Sequence, residues 1–308
     1  MGVNLSKTSL DRRLLPEYSA SHGKGQTAKL GVSYLSNRIG SCMTTPPNSL
    51  ISQVRGLLDR LVACRRQDND EQEVVGDAVA TEARALPREG LLEAFDKAIG
   101  SSKKRRKEAV YILSELTDIP EAVARIGQSL NDPDPQWRSW LLQIIAAKRM
   151  QQFAPLLDNI IECDPDPFCR DMAIWAAGKL RQRENLPTLF RLADHNKQEL
   201  IWRLAVAFTS YATEECRPYL QRWFDDAAQK KSTRVIAAWG LGKLGDANAI
   251  AYLIAMLHDT DIRTTNSFEP GESIRAAQAV CDIHGWPFEW DRSYVGKTIA
   301  LVEEGGQG

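Results

Sequence analysis

Metal and acid-base chemistry would need clustered imidazoles, thiolates or carboxylates, and the four histidines, His22, His195, His258 and His284, each stand apart. None forms a His-Glu pair or an H-x-x-x-H spacing, so no helix face gathers the three or four ligands that zinc or iron requires. Cys42, Cys64, Cys163, Cys169, Cys216 and Cys281 are scattered without a C-x-x-C pair. That usage fits a reducing compartment and a cytoplasmic location, and it offers no dithiol chemistry. The glycine-rich Gly23-Lys-Gly-Gln-Thr27 lacks the phosphate-loop spacing and does not join a strand to a helix. No catalytic residue, metal site or cofactor is expected.

The positive signal is a series of rings. Five residues after a recurring arginine stand Tyr111, Gln143, Trp175, Phe208 and Trp239, with Val280 in an irregular last unit. Large aromatic rings on one side of a helical array, edged by Trp140, Lys179 and Lys243, have the composition of an interface hot spot. They are assigned as a partner-binding concave face. Lys103-Lys-Arg-Arg-Lys107 is a sharp basic cluster, and at a helix start it is expected to be a solvated surface feature.

The elements that would carry this row come from an internal repeat. Asn131-Asp-Pro-Asp-Pro-Gln-Trp-Arg138 recurs 32 residues later as Cys163-Asp-Pro-Asp-Pro-Phe-Cys-Arg170. Anchoring on Arg106, Arg138, Arg170, Arg203, Arg234 and Arg275 gives steps of 32, 32, 33, 31 and 41 residues. After the anchor the two best copies read Arg170-Asp-Met-Ala-Ile-Trp-Ala-Ala-Gly-Lys-Leu180 and Arg234-Val-Ile-Ala-Ala-Trp-Gly-Leu-Gly-Lys-Leu244. Ala173, Ala176, Ala177 and Leu180 lie at i, i+3, i+4 and i+7, which is one buried helix face. Gly178 and Gly242 recur on it, and a helix-interior glycine is tolerated where two helices approach closely.

A second apolar run precedes each such helix, for example Phe153, Leu156, Leu157 and Ile160, so each unit is a helical hairpin. Pro120, Pro155, Pro187 and Pro218 recur near the first-helix starts, where a missing N–H does little harm. Asp134 and Asp166 are placed to cap the following helices. One hairpin cannot bury its own apolar face, so the units must stack into an all-α solenoid.

The Arg-x-x-Ala-(Ala/Ile)-Trp-(Ala/Gly)-(Ala/Leu)-Gly-Lys-Leu string resembles the second helix of short HEAT-like repeats of the phycobilin lyase type. The resemblance covers about residues 88 to 285 and implies an armadillo-type superhelix, without specifying an activity. It also implies an Asp-Arg ladder between units, matched by Asp132 with Arg138 and Asp164 with Arg170, and carried on by Arg203 and Arg234. Lys197 and Ala228 stand where the aspartates before Arg203 and Arg234 would be, which predicts an incomplete ladder. The absence of His-Glu pairs argues against the di-iron hydroxylases built on such repeats.

The expected domains are a basic N-terminal arm over 1–47, a capping hairpin over 48–87, the repeat array over 88–285 and a C-terminal cap and tail over 286–308. The arm carries six Lys or Arg against Asp11 and Glu17, whereas the whole chain has a formal charge of -1. That balance disfavours nucleic acid as a general partner, and no apolar stretch is long enough to span a bilayer. The long last step places an insertion at Thr260 to Glu272, a candidate recognition loop. The leading expectation is therefore a non-enzymatic adaptor that binds another protein in its groove. A bilin lyase or chaperone is the alternative implied by the resemblance. A HEAT-like alkylation-repair glycosylase using Asp171 beside Trp175 is a third.

Overall fold

Asp-Pro dipeptides start the helices as expected: the Asp134 carboxylate accepts from the Gln136 N–H, and Asp166 accepts from the Cys169 N–H. Each cap is worth about 1 kcal/mol, and the following proline supplies a pre-set φ where no N–H is needed. A computed structural model describes residues 48–64, 69–116, 119–195, 198–258, 271–289 and 293–305. The basic arm, most of the Thr260 to Glu272 insertion, Lys197, Trp290 and the side chains of Lys103 and Lys107 lie outside the described residues.

Among the described residues there are fifteen α-helices and no strand. They are α1 (Asn48–Cys64), α2 (Asn69–Ala85), α3 (Leu91–Ile99), α4 (Lys103–Glu115), α5 (Pro120–Ser129), α6 (Pro135–Ala147), α7 (Ala154–Cys163) and α8 (Pro167–Leu180). They continue as α9 (Leu186–Asp194), α10 (Gln198–Tyr211), α11 (Arg217–Asp225), α12 (Lys231–Lys243), α13 (Ala247–Leu257), α14 (Glu272–His284) and α15 (Ser293–Gly305).

The helices form two compact units divided between Ala109 and Val110. In the first unit α1 packs on α2 and α3. Its heptad-like row Leu50, Val54, Leu57, Leu58 and Leu61 is buried with Val79, Ala83, Leu91 and Phe95. Arg105 is held there by Asp59 through two surface hydrogen bonds of 2.7 and 3.0 Å, which gives one guanidinium of the basic cluster an acidic partner.

In the second unit the second helices of successive hairpins, α6, α8, α10, α12 and α14, stack side by side, with α7, α11 and α13 packed against them. Ala173, Ala176, Ala177 and Leu180 all lie in the core. A Cβ on Gly178 would stand 2.8 Å from the Ala207 Cα, so the close approach of α8 to α10 requires a residue without a side chain there. Between α9, α10 and α11 the rings of Phe190, Phe208, Tyr219 and Trp223 form a cluster with centroid separations of 5.1 to 6.4 Å. Such aromatic contacts carry the burial of the middle units. At the carboxyl end α15 covers α13 and α14.

Every second helix from α6 onward ends at a residue of left-handed φ: Arg149, Arg181, Ala212, Gly245 and Gly285. Glycine adopts this conformation without strain, whereas an L-residue with a side chain loses roughly 1–2 kcal/mol. A cation near a helix C-terminus recovers about 0.3–1 kcal/mol from the helix dipole. On these magnitudes alone glycine would serve better than arginine at 149 and 181.

These left-handed ends also give an independent ruler. They step by 32, 31, 33 and 40 residues, whereas the arginine anchors in the same helices step by 32, 33, 31 and 41. Arg203 therefore sits two residues nearer its helix end than Arg138, Arg170 and Arg234 do. Two residues rotate a side chain by about 200°, onto the opposite face of the helix.

Candidate functional site: the exposed face of the second helices

The half-exposed line along each second helix is narrow because its other faces are buried by both neighbouring hairpins. On α6 the line runs through Trp140 and Gln143, and on α8 through Asp171, Trp175 and Lys179. On α10 it runs through Trp202, Val206 and Ser210, on α12 through Trp239 and Lys243, and on α14 from Gln278 to the exposed Asp282. Tyr111 occupies the matching position on α4.

Side chains two units apart converge on this face. The Arg275 guanidinium of α14 lies 5.9 Å from the centroid of the Trp202 ring on α10, and the Lys243 ammonium of α12 is close enough to perturb that of Lys179 on α8. Side chains thus reach across an intervening helix on this face of the second unit, called the inner face below.

Of the residues assigned to partner binding, Tyr111, Trp140, Trp175, Lys179, Trp239 and Lys243 lie half-buried along this line. Phe208 does not: it is 0% exposed, between Phe190, Tyr219 and Trp223. The two-residue offset of Arg203 is the reason, since counting five residues from that anchor lands on the core side of α10. Val206 holds the corresponding exposed position, and Trp202 supplies the ring. Counting from Arg275 likewise lands on Val280, which is buried.

Local contacts orient the rings. Trp140 meets Trp137 edge to face at 6.4 Å. The Lys179 ammonium stands 5.8 Å from the Trp175 centroid. Trp202 lies under the Arg203 guanidinium at 4.8 Å as well as under Arg275. The Trp239 indole N–H donates to Asp282 at 2.8 Å, and the same carboxylate oxygen pairs with Lys243 at 3.1 Å.

At Arg138 the ladder residues connect one unit to the next. Arg138 donates through Nε and Nη2 to the two carboxylate oxygens of Asp164 in the next unit, at 2.8 and 2.7 Å, with both side chains buried. Toward Asp132 it reaches only the backbone carbonyl, at 2.7 Å, and Arg170 reaches the Asp164 carbonyl in the same way at 2.6 Å. The Asp132 and Asp164 side chains tie down their own turns by accepting from the Asp134 and Asp166 N–H groups. Arg203 turns back to Asp171 of the preceding unit at 2.6 Å, and Arg234 donates to the Phe224 carbonyl at 2.9 Å while covering the Tyr252 ring.

Cations gather at the carboxyl ends of α6 and α8. Burial, then the charges of Arg149, Arg181 and Lys243, hold the Lys179 ammonium below its ordinary pKa. Sequence reading missed Arg149 and Arg181, whose left-handed φ has no local signature once glycine is absent. It also missed Trp202, hidden by the register slip.

Among the described residues no three His, Cys, Asp or Glu side chains come together as a metal site. No helix among them is long and apolar enough to cross a membrane. Stacked helical hairpins are the architecture of an α-solenoid, the class this chain represents. Residues 123–207 match HEAT repeats, and residues 233–259 match the PBS lyase HEAT-like repeat. These segments are HEAT-like repeats. No curated protein matches the chain. Among solved structures, human deoxyhypusine hydroxylase in complex with glycerol aligns over 83% of this chain and 96% of that chain, at 15% identity and a TM-score of 0.31. A likeness that low transfers nothing about chemistry.

Proposed function

We propose that the inner face of the second unit binds a partner protein and that the chain acts as a non-enzymatic scaffold. The observation that supports this most directly is the half exposure of Trp140, Trp175, Trp202 and Trp239, one from each of four successive second helices. Core packing does not use these rings fully, although fully buried side chains surround them. Tryptophan is enriched among interface hot spots, whose truncation costs about 2 kcal/mol or more. Asp171, the residue a glycosylase reading would use as its base, is engaged by Arg203 at 2.6 Å, which favours the binding reading over that chemistry.

The test is capture by the full chain, followed by identification of crosslinked peptides. Trp175→Ala combined with Trp239→Ala should lose the partner by at least about tenfold while leaving the helical circular dichroism unchanged. Crosslinks that map to the outer helices, or undiminished capture by the double variant, would reject the inner face as the binding surface.

A further inference from the structure

The proposed groove is not uniform along its length: it is cationic at one edge. Arg149 at the end of α6, with Arg181 and Lys179 at the end of α8, brings three positive charges from two successive units to the same end of the inner face. Three other cations of these units have counter-ions. Lys243 pairs with Asp282 at 3.1 Å, Lys148 with Glu115 at 2.9 Å and Arg203 with Asp171 at 2.6 Å. Among the described residues no acid pairs with Arg149, Arg181 or Lys179. Lys179 is half-buried beside Trp175, and its neighbours already disfavour its charge. Like charges concentrated on a partly desolvated ammonium are a cost to the free protein that an incoming anion would remove.

The arginines are also costly in backbone terms. The same position is glycine after α12 and after α14, yet arginine occupies it in two consecutive units and holds a left-handed φ of 48° and 56°. On α8 dipole compensation is already supplied two residues earlier, by Lys179 in the last turn. Both arginine side chains are exposed at these helix ends.

Resting on the groove reading above, we infer that this rim takes the carboxylates of an acidic segment of the partner protein, whose adjoining apolar side chains lie on Trp175 and its neighbours. Charge complementarity selects this occupant. The chain's own residues 1–47, with six Lys or Arg against two acids, would be repelled. A nucleic-acid backbone needs a continuous basic track, because duplex DNA presents a charge about every 1.7 Å. Here the track is interrupted: beyond the rim Lys243 is paired with Asp282, Arg203 with Asp171, and Arg275 lies over Trp202, among Trp, Gln, Val and Ser.

The experiment uses the full chain and a fluorescein-labelled peptide, Glu-Asp-Glu-Leu-Phe-Asp-Leu, beside its amide counterpart Gln-Asn-Gln-Leu-Phe-Asn-Leu, read by anisotropy. The acidic peptide should bind about tenfold tighter or more. Arg149→Gly with Arg181→Gly and Lys179→Gln should abolish that difference, and glycine is compatible with both backbone positions. Equal binding of the two peptides, lost on Trp175→Ala with Trp239→Ala, overturns the anionic preference while leaving the groove intact. Failure of both peptides to bind also overturns it, and the groove then stands or falls on the capture experiment. A single-stranded oligonucleotide binding as tightly as the acidic peptide overturns it in favour of phosphate.

Discussion

Asp164→Ala is the substitution whose effect the structure determines most closely. The Asp164 carboxylate accepts Arg138 Nε and Nη2 at 2.8 and 2.7 Å and the Asp166 N–H at 2.9 Å. Its side chain is 5% exposed and that of Arg138 is 8% exposed. Alanine leaves the guanidinium buried with only the Asp132 carbonyl as acceptor. Breaking one partner of a buried pair costs about 3–5 kcal/mol, most of it the stranded charge. For a unit of about 200 residues that corresponds to a fall of roughly 6–20 °C in the unfolding midpoint. Circular dichroism melts measure the fall, and amide hydrogen exchange should place the new opening at α6 to α8. Arg138→Met combined with Asp164→Leu removes both charges and should recover most of the loss. A single-variant effect below about 1 kcal/mol, or a double variant as unstable as the sum of the singles, would refute the assignment of this pair as the tie between units.

Two further outcomes follow from buried titratable groups. Lys179 has a folded pKa below its usual 10.5, through burial first and then Arg149, Arg181 and Lys243. Folding is therefore penalised in full below the folded pKa, and the penalty disappears as pH rises from there through 10.5. Lys179→Met should raise the unfolding midpoint at neutral pH, and the gain should fade in strongly alkaline solution; a gain that is pH-independent contradicts this. Burial, then the Asp164 carboxylate, pushes the Cys169 thiol up to about 12, whereas Cys163 is exposed. Iodoacetamide at about pH 8 should modify Cys163 in the native protein and reach Cys169 only after denaturation, as peptide mass spectrometry will record; labelling of both at equal rates would contradict the packing of α8.

The hairpin period was legible because similar strings recur about 32 residues apart, and the Asp caps and small-residue stripe because each is a pattern within a single helix or its first turn. The stacked all-helical architecture then follows from the need to bury those stripes. What was not legible is rotational. An arginine is a sound register mark only while it keeps its distance from the helix end, and Arg203 does not. The resulting two-residue error hid Trp202 and put Phe208, a core ring, into the binding row. A ladder between units was expected from the resemblance, but not which aspartate each arginine reaches: Arg138 takes the Asp164 carboxylate of the next unit and only the backbone carbonyl of Asp132, six residues earlier. Which Asp a given Arg reaches depends on the spacing between stacked units, and no local pattern encodes that spacing.

The forward reach of Arg138 also bears on how the array comes apart. A hairpin joined to its neighbour by apolar contact alone can fray from an end, each loss independent of the next. Here α7 and the start of α8 hold the counter-ion of the helix before them, so their departure leaves a positive charge sealed inside what remains. Unravelling that arrives at this junction must take α6 with it or halt, which makes the two hairpins a single cooperative block within a repetitive chain.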